Sequence, residues 1–141
     1  VNDTVIHGIP TRQQQIRPGD IVSIDTGCKI DGFNGDNACT YGCGKLDLEA
    51  QRLLDVTKES LHRGIEMARG GNRVGDIGHA VQSYVEENGF SVVRSFVGHG
   101  VGKELHEDPK SRTSATPGAV RVWCRVCASQ SSRWCASTST R

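Results

Sequence analysis

At 141 residues the chain is long enough for one domain with a packed core, since a domain of this size buries roughly two-thirds of the surface its unfolded chain exposes. A formal net charge of +1, with acidic and basic residues interspersed, offers no basic face for nucleic acid and no polybasic membrane anchor. No apolar run nears the roughly 18 residues of a membrane span, and the N-terminus lacks a signal peptide's basic-then-apolar layout. The composition therefore predicts a soluble, cytoplasmic protein, beginning at Val1 inside a longer chain.

In chain order, His7 comes first, ahead of a rigid Ile9-Pro10 step. Asp20 to Thr26 alternates as a strand does. Cys28 to Tyr41 reads as a second extended segment, interrupted by Asp31-Gly32, a strong hairpin signal. Asp47 can cap a helix from about Leu48 to Ala68, with Leu54, Leu61, Ile65 and Ala68 near one face and Gly70-Gly71 stopping it. A second helix is expected from about Val74 to Asn88, its apolar face made by Ile77, Val81, Tyr84 and Val85 and its end set by Gly89. Glu59, Glu66, Glu86 and Glu87 fall on these helices and read as solvated faces. Ser91 to Val97 reads as a buried strand leading into a Gly-rich turn around His99, and His106-Glu107-Asp108-Pro109 follows. Up to Pro109 the pattern is α+β.

The hairpin allows one placement by arithmetic. With Asp31-Gly32 as the two central turn residues, opposed positions sum to 63, so Asp25 faces Ala38 and Gly27 faces Asp36. Asp25 and Asp36 then share a sheet face as diagonal neighbours, roughly 7 to 8 Å apart at the backbone. Two carboxylates so placed repel unless something positive lies between them, and one divalent cation, or two about 3.5 to 4 Å apart, would relieve the repulsion. Solvation of strand-end aspartates is the other reading, and the hairpin alone leaves both open. His99 between two glycines, His106 and His7 are each able, as neutral imidazoles, to ligate a metal or to donate a hydrogen bond to a carbonyl. Cys124-x-x-Cys127 has no second pair at ligand spacing, which argues against a four-ligand zinc ribbon.

Five segments in order, Val5 to Pro10, Gly19 to Asp25, Asp31 to Asp36, Gly89 to Arg94, and Gly98 to Gly102 with His106 to Pro109, resemble type I methionine aminopeptidase. Xaa-Pro peptidases of the same clan share the aspartate pair and the Gly-His-Gly loop; the His-Gly-Ile-Pro segment and Gly35-Asp36 favour the methionine branch. The resemblance implies a pita-bread α+β fold in which two related halves enclose a curved antiparallel sheet. It also implies a site with two divalent ions, of cobalt, manganese, iron or zinc. Carried over by position, Asp25, Asp36 and His99 become metal ligands, with Asp36 bridging, while His7 and His106 stand near the substrate. The implied activity is removal of the initiator methionine from nascent polypeptides, by a cytoplasmic monomer working near the ribosome with no membrane or nucleic-acid partner. Asn34 and Asn37 depart from the family's usual histidine and threonine or serine. A non-catalytic protein using the same fold for binding is a further alternative.

The family pattern also requires two glutamates from its C-terminal half, and no acidic residue follows Asp108 here. Residues 1–109 are therefore expected to form a partial catalytic domain, with 110–141 as a tail rich in Ser, Thr, Arg, Cys and Trp. Such a composition permits a disordered basic tail. A displaced reading frame accounts for more. Suitable synonymous codons for Val126 to Cys135, read two nucleotides in, give Met-Cys-Leu-Ala-Ile-Glu-Pro-Met-Val, which resembles the segment bearing the first missing glutamate. The same offset over Lys110 to Ala115 gives Val-Pro-Asn-Phe-Gly, which resembles the stretch after the family's His-Glu-x-Pro. The tail is expected to follow a one-nucleotide loss near the Lys110 codon. Sequencing the gene checks this: the codons for Gln130 to Arg133 should spell Ile-Glu-Pro in the offset frame, and codons unable to do so overturn it.

Overall fold

The computed structural model describes residues 1–4, 8–95, 97–112 and 135–136. Strands β1 (Ile21–Ile30) and β2 (Phe33–Gly42) form an antiparallel hairpin. Asp31 and Gly32 both have positive φ, 51° and 83°, as a two-residue turn that follows the twist of its strands requires. The register is the one the arithmetic predicts, with Asp25 opposite Ala38 and Asp36 opposite Gly27. One face of β2 is half-buried, through Asn34, Asp36, Ala38 and Thr40. The other leaves Ile24, Ile30, Phe33 and Tyr41 largely exposed.

The N-terminal segment is tied to the base of this hairpin. The Asn2 backbone N–H donates to the Ile21 carbonyl at 2.9 Å, and the Ile21 N–H donates to Asn2 Oδ1 at 3.0 Å. Asp20 accepts from the Asn2 side-chain amide at 2.9 Å and from the Arg17 N–H at 2.7 Å. Those two bonds, in that order of importance, favour the carboxylate and hold its pKa below the ordinary value.

Helices α1 (Leu48–Met67) and α2 (Val74–Glu87) fall where the sequence places them. Asp47 Oδ1 accepts from the Ala50 N–H at 2.7 Å, satisfying one of the open donors of the first turn. Gly89, at φ 78°, turns the chain out of α2. The buried stripe of α1 differs from the expected one. Val56, Ser60 and Gly64 are buried, whereas Leu54 and Leu61 are only half-buried and Ile65 is 58% exposed. Small residues win because α2 lies close: a Cβ on Gly64 would sit 3.0 Å from Val81 Cγ2 and 3.4 Å from Ile77 Cγ2. The α2 face is as expected, with Ile77, Val81 and Val85 buried and Tyr84 partly so. Val56, Val81, Val85, Phe90 and Val92 form the core, with Leu53 and Tyr84 packed on it.

Arginines close the ends of this layer. Arg52 lies 5.1 Å from the centre of the Phe90 ring and donates to the Asn88 carbonyl, placing positive charge at the C-terminus of α2. Arg63 stacks 3.9 Å above the Tyr84 ring and pairs with Glu59 at 3.1 Å. The helical glutamates lie on exposed faces, as predicted.

The expected strand from Ser91 to Val97 is divided. β3 (Ser91–Val92) pairs with β6 (Cys135–Ala136), while β4 (Val97–Gly100) pairs with β5 (Glu107–Arg112). The two pieces serve different partners, so the chain leaves one ladder before joining the other. His99 consequently lies within a strand, beside a register shift between Gly98 and Gly100, rather than in a turn. β5 runs across the expected domain boundary at residue 109, and most of 110–141 lies outside the described residues. Among the described residues no helix is long and apolar enough to cross a membrane.

The helix contact gives a direct test. Gly64→Leu should cost about 1 to 3 kcal/mol in urea unfolding by overpacking against Val81 and Ile77, while Ile65→Ser on the exposed side should change stability by less than about 0.5 kcal/mol.

Candidate metal centre

Period-two alternation along β2 puts Asn34 and Asp36 on the half-buried face, and β4 brings His99 against it. His99 Nε2 is 3.8 Å from Asp36 Oδ2, and the two side chains are only 19% and 11% exposed. His99 Nδ1 lies 3.0 Å from the Gly100 carbonyl oxygen. That oxygen can only accept, so Nδ1 carries the proton it donates. In the neutral ring the Nε2 lone pair then faces the Asp36 carboxylate. Two acceptors meeting in a sheltered place need a proton or a cation between them.

The His106 ring stands beside His99, centroids 4.2 Å apart and planes tilted by 52°. Asp25 shares the Asp36 face through the hairpin register, one diagonal step away, and its side of β1 is exposed. His7 lies outside the described residues. The donor chemistry, carboxylate and imidazole, suits a divalent ion. Among the described residues, however, no three His, Cys, Asp or Glu side chains converge closely enough to hold one. The structure thus brings His99 against Asp36 on one side and His106 on another, with Asp25 on the Asp36 face of the hairpin, and the described residues do not close a ligand cage.

Two further residues, Asn34 and Glu107, shape the site in ways that residue type alone does not signal. Asn34 donates from its backbone N–H to the Gly102 carbonyl at 2.7 Å, and from its side-chain amide to Gly102 O at 3.0 Å and Lys103 O at 2.8 Å. Its place two residues before Asp36 on one face was the available signal. Glu107 Oε1 accepts from the Glu104 N–H at 2.8 Å, folding the loop between His99 and His106 back on itself. This tight packing explains the glycines. A Cβ on Gly100 would meet the Asp108 carbonyl oxygen at 2.6 Å, and one on Gly102 would meet Glu107 Oε2 at 2.6 Å.

Residues 1–122 match metallopeptidase family M24. The chain belongs to that family. It is 48% identical over 118 residues to a methionine aminopeptidase of Clostridium acetobutylicum, covering 84% of this chain and 47% of that relative. The crystal structure of methionine aminopeptidase from Thermotoga maritima superposes with a TM-score of 0.86 at 44% identity, over 89% of this chain and 51% of that one. A prolidase from Pyrococcus furiosus, at 24% identity and TM-score 0.69 over 81% of this chain and 33% of that one, shares the fold. The fold is therefore the pita-bread fold of these metallopeptidases, in part: the chain spans about half the length of the methionine aminopeptidases it matches.

The two glycines should respond differently to alanine. Gly100→Ala presses on backbone and should destabilise the β4–β5 pair by about 1 to 3 kcal/mol, seen as faster amide hydrogen exchange in β4. Gly102→Ala presses on the carboxylate of Glu107 rather than on backbone, so it should disturb the Glu107 bond to the Glu104 N–H and raise exchange in β4 less.

Proposed function

We propose that this chain carries the first half of a methionyl aminopeptidase centre. The observation that supports it most is the Asp36 carboxylate facing His99 Nε2 at 3.8 Å on the sheet face that also bears Asp25. Asp25, Asp36 and His99 are the residues that would hold the divalent cation, whether cobalt, manganese, iron or zinc. When bound, such ions supply the Lewis acidity that lets water attack a peptide bond near neutral pH. His106, its ring beside that of His99, would donate a hydrogen bond to the scissile carbonyl as its oxygen gains charge. His7 takes the second substrate-facing place in this reading.

The substrates would be the N-termini of nascent polypeptides, met in the cytoplasm near the ribosome by a monomeric enzyme. The identity gap between the Thermotoga methionine aminopeptidase and the Pyrococcus prolidase, 44% against 24%, favours methionine over an Xaa-Pro specificity. No acidic residue stands between Pro109 and Arg141, so residues 1–141 taken alone do not supply the two glutamates of the family pattern. With fewer carboxylates to offset the repulsion between two cations, a second ion would be held least well.

The chain alone should therefore bind one Co2+ weakly and turn over a Met-Ala-Ser peptide no faster than its Asp36→Asn variant does. Calorimetric titration with the metal and peptide hydrolysis followed by chromatography check the two parts. Turnover that Asp36→Asn abolishes would overturn the proposed inactivity, and cleavage of Ala-Pro in preference to Met-Ala would overturn the proposed specificity.

A further inference from the structure

We infer that Asn34 is a positioning residue for this centre: its side-chain amide sets where the loop bearing His99 and His106 stands against the strand bearing Asp36. The inference rests on the proposed metal half-site and deepens it. Both N–H donors of the Asn34 amide are engaged, one by Gly102 O at 3.0 Å and one by Lys103 O at 2.8 Å. Those two carbonyls lie midway along the chain between His99 and His106, so a tie there restrains both rings at once. Asn34 is itself half-buried and sits on the same face of β2 as Asp36.

The loop also behaves as one piece. The Gly102 N–H donates to Glu104 O at 3.1 Å, and Glu107 accepts from the Glu104 N–H at 2.8 Å, so displacement at Lys103 carries through to His106. The Asp36 to His99 approach, at 3.8 Å, exceeds hydrogen-bond length and cannot fix its own separation. The clasp reaches across 68 positions of sequence to do so. The backbone bond from the residue 34 N–H to Gly102 is available to every residue but proline, which isolates the amide's share.

Asn34→Leu keeps the bulk of the side chain, removes both donors and adds no metal ligand. It should weaken Co2+ binding, followed by visible absorption, by about tenfold, the lower end of what losing support around metal ligands costs, because the loop bearing His99 loses its tie to the strand bearing Asp36. It should also abolish the nuclear Overhauser contact between the His99 and His106 rings, while the helical circular dichroism of α1 and α2 is unchanged. Asn34→Gln, with the donors restored on a longer stem, should recover part of both. Co2+ affinity within twofold of the parent together with a retained ring contact overturns the inference. If the parent binds no Co2+, the metal reading fails, and the ring contact alone then decides whether Asn34 positions the histidines. Should Asn34→Leu lose its helical signal, Asn34→Ser, too short to span both carbonyls, reads the same two quantities.

Discussion

The register of the β1–β2 hairpin is the constraint on which the site depends. A two-residue turn with both central residues at positive φ admits one pairing, and a slip by one residue would turn every side chain to the opposite face. Asp25, Asp36 and Asn34 face the same way only because Asp31 and Gly32 occupy those two positions. The contact with His99 and the hydrogen bonds to Gly102 and Lys103 both follow from that choice.

The helical pair supplies the second support. α2 delivers the chain through Gly89 and Phe90 into β3 and on towards β4, so the position of His99 is referred to the α1–α2 core. That core is four valines around Phe90, and among the described residues Val85 is the largest side chain that is fully buried. Close approach across Gly64 gives it rigidity that volume alone would not, because well-packed interiors tolerate little displacement. The strands bearing Asp36 and His99 are thus held by a thin but closely fitted layer, in a chain that spans about half of its relatives.

Much of this was legible in the sequence where local rules act alone. The Asp31-Gly32 turn, the Asp47 cap and the glycine stops each depend on a few neighbouring residues, and each stands where expected. The α1 face was misjudged because periodicity marks the larger apolar residues, Leu54, Leu61 and Ile65, while close helix contact selects the smaller Val56, Ser60 and Gly64. The split at Ser91 to Val97 depends on which strand each piece pairs with, and no local pattern carries that. Asn34 was noticed as a departure from a family habit; its bonds to carbonyls distant in sequence come from the fold.

The alternation of β2 also separates two kinds of consequence along a single strand. Even-numbered positions, Asn34 to Thr40, look towards the donor face, while Phe33 and Tyr41, with Ile24 and Ile30 across the ladder, look outwards from a ribbon that pairs two strands among the described residues. Chemistry and solubility are therefore written on opposite sides of the same ten residues. The outer side can be made more polar, and the ribbon less prone to recruit another strand, without altering a single group that faces the histidines.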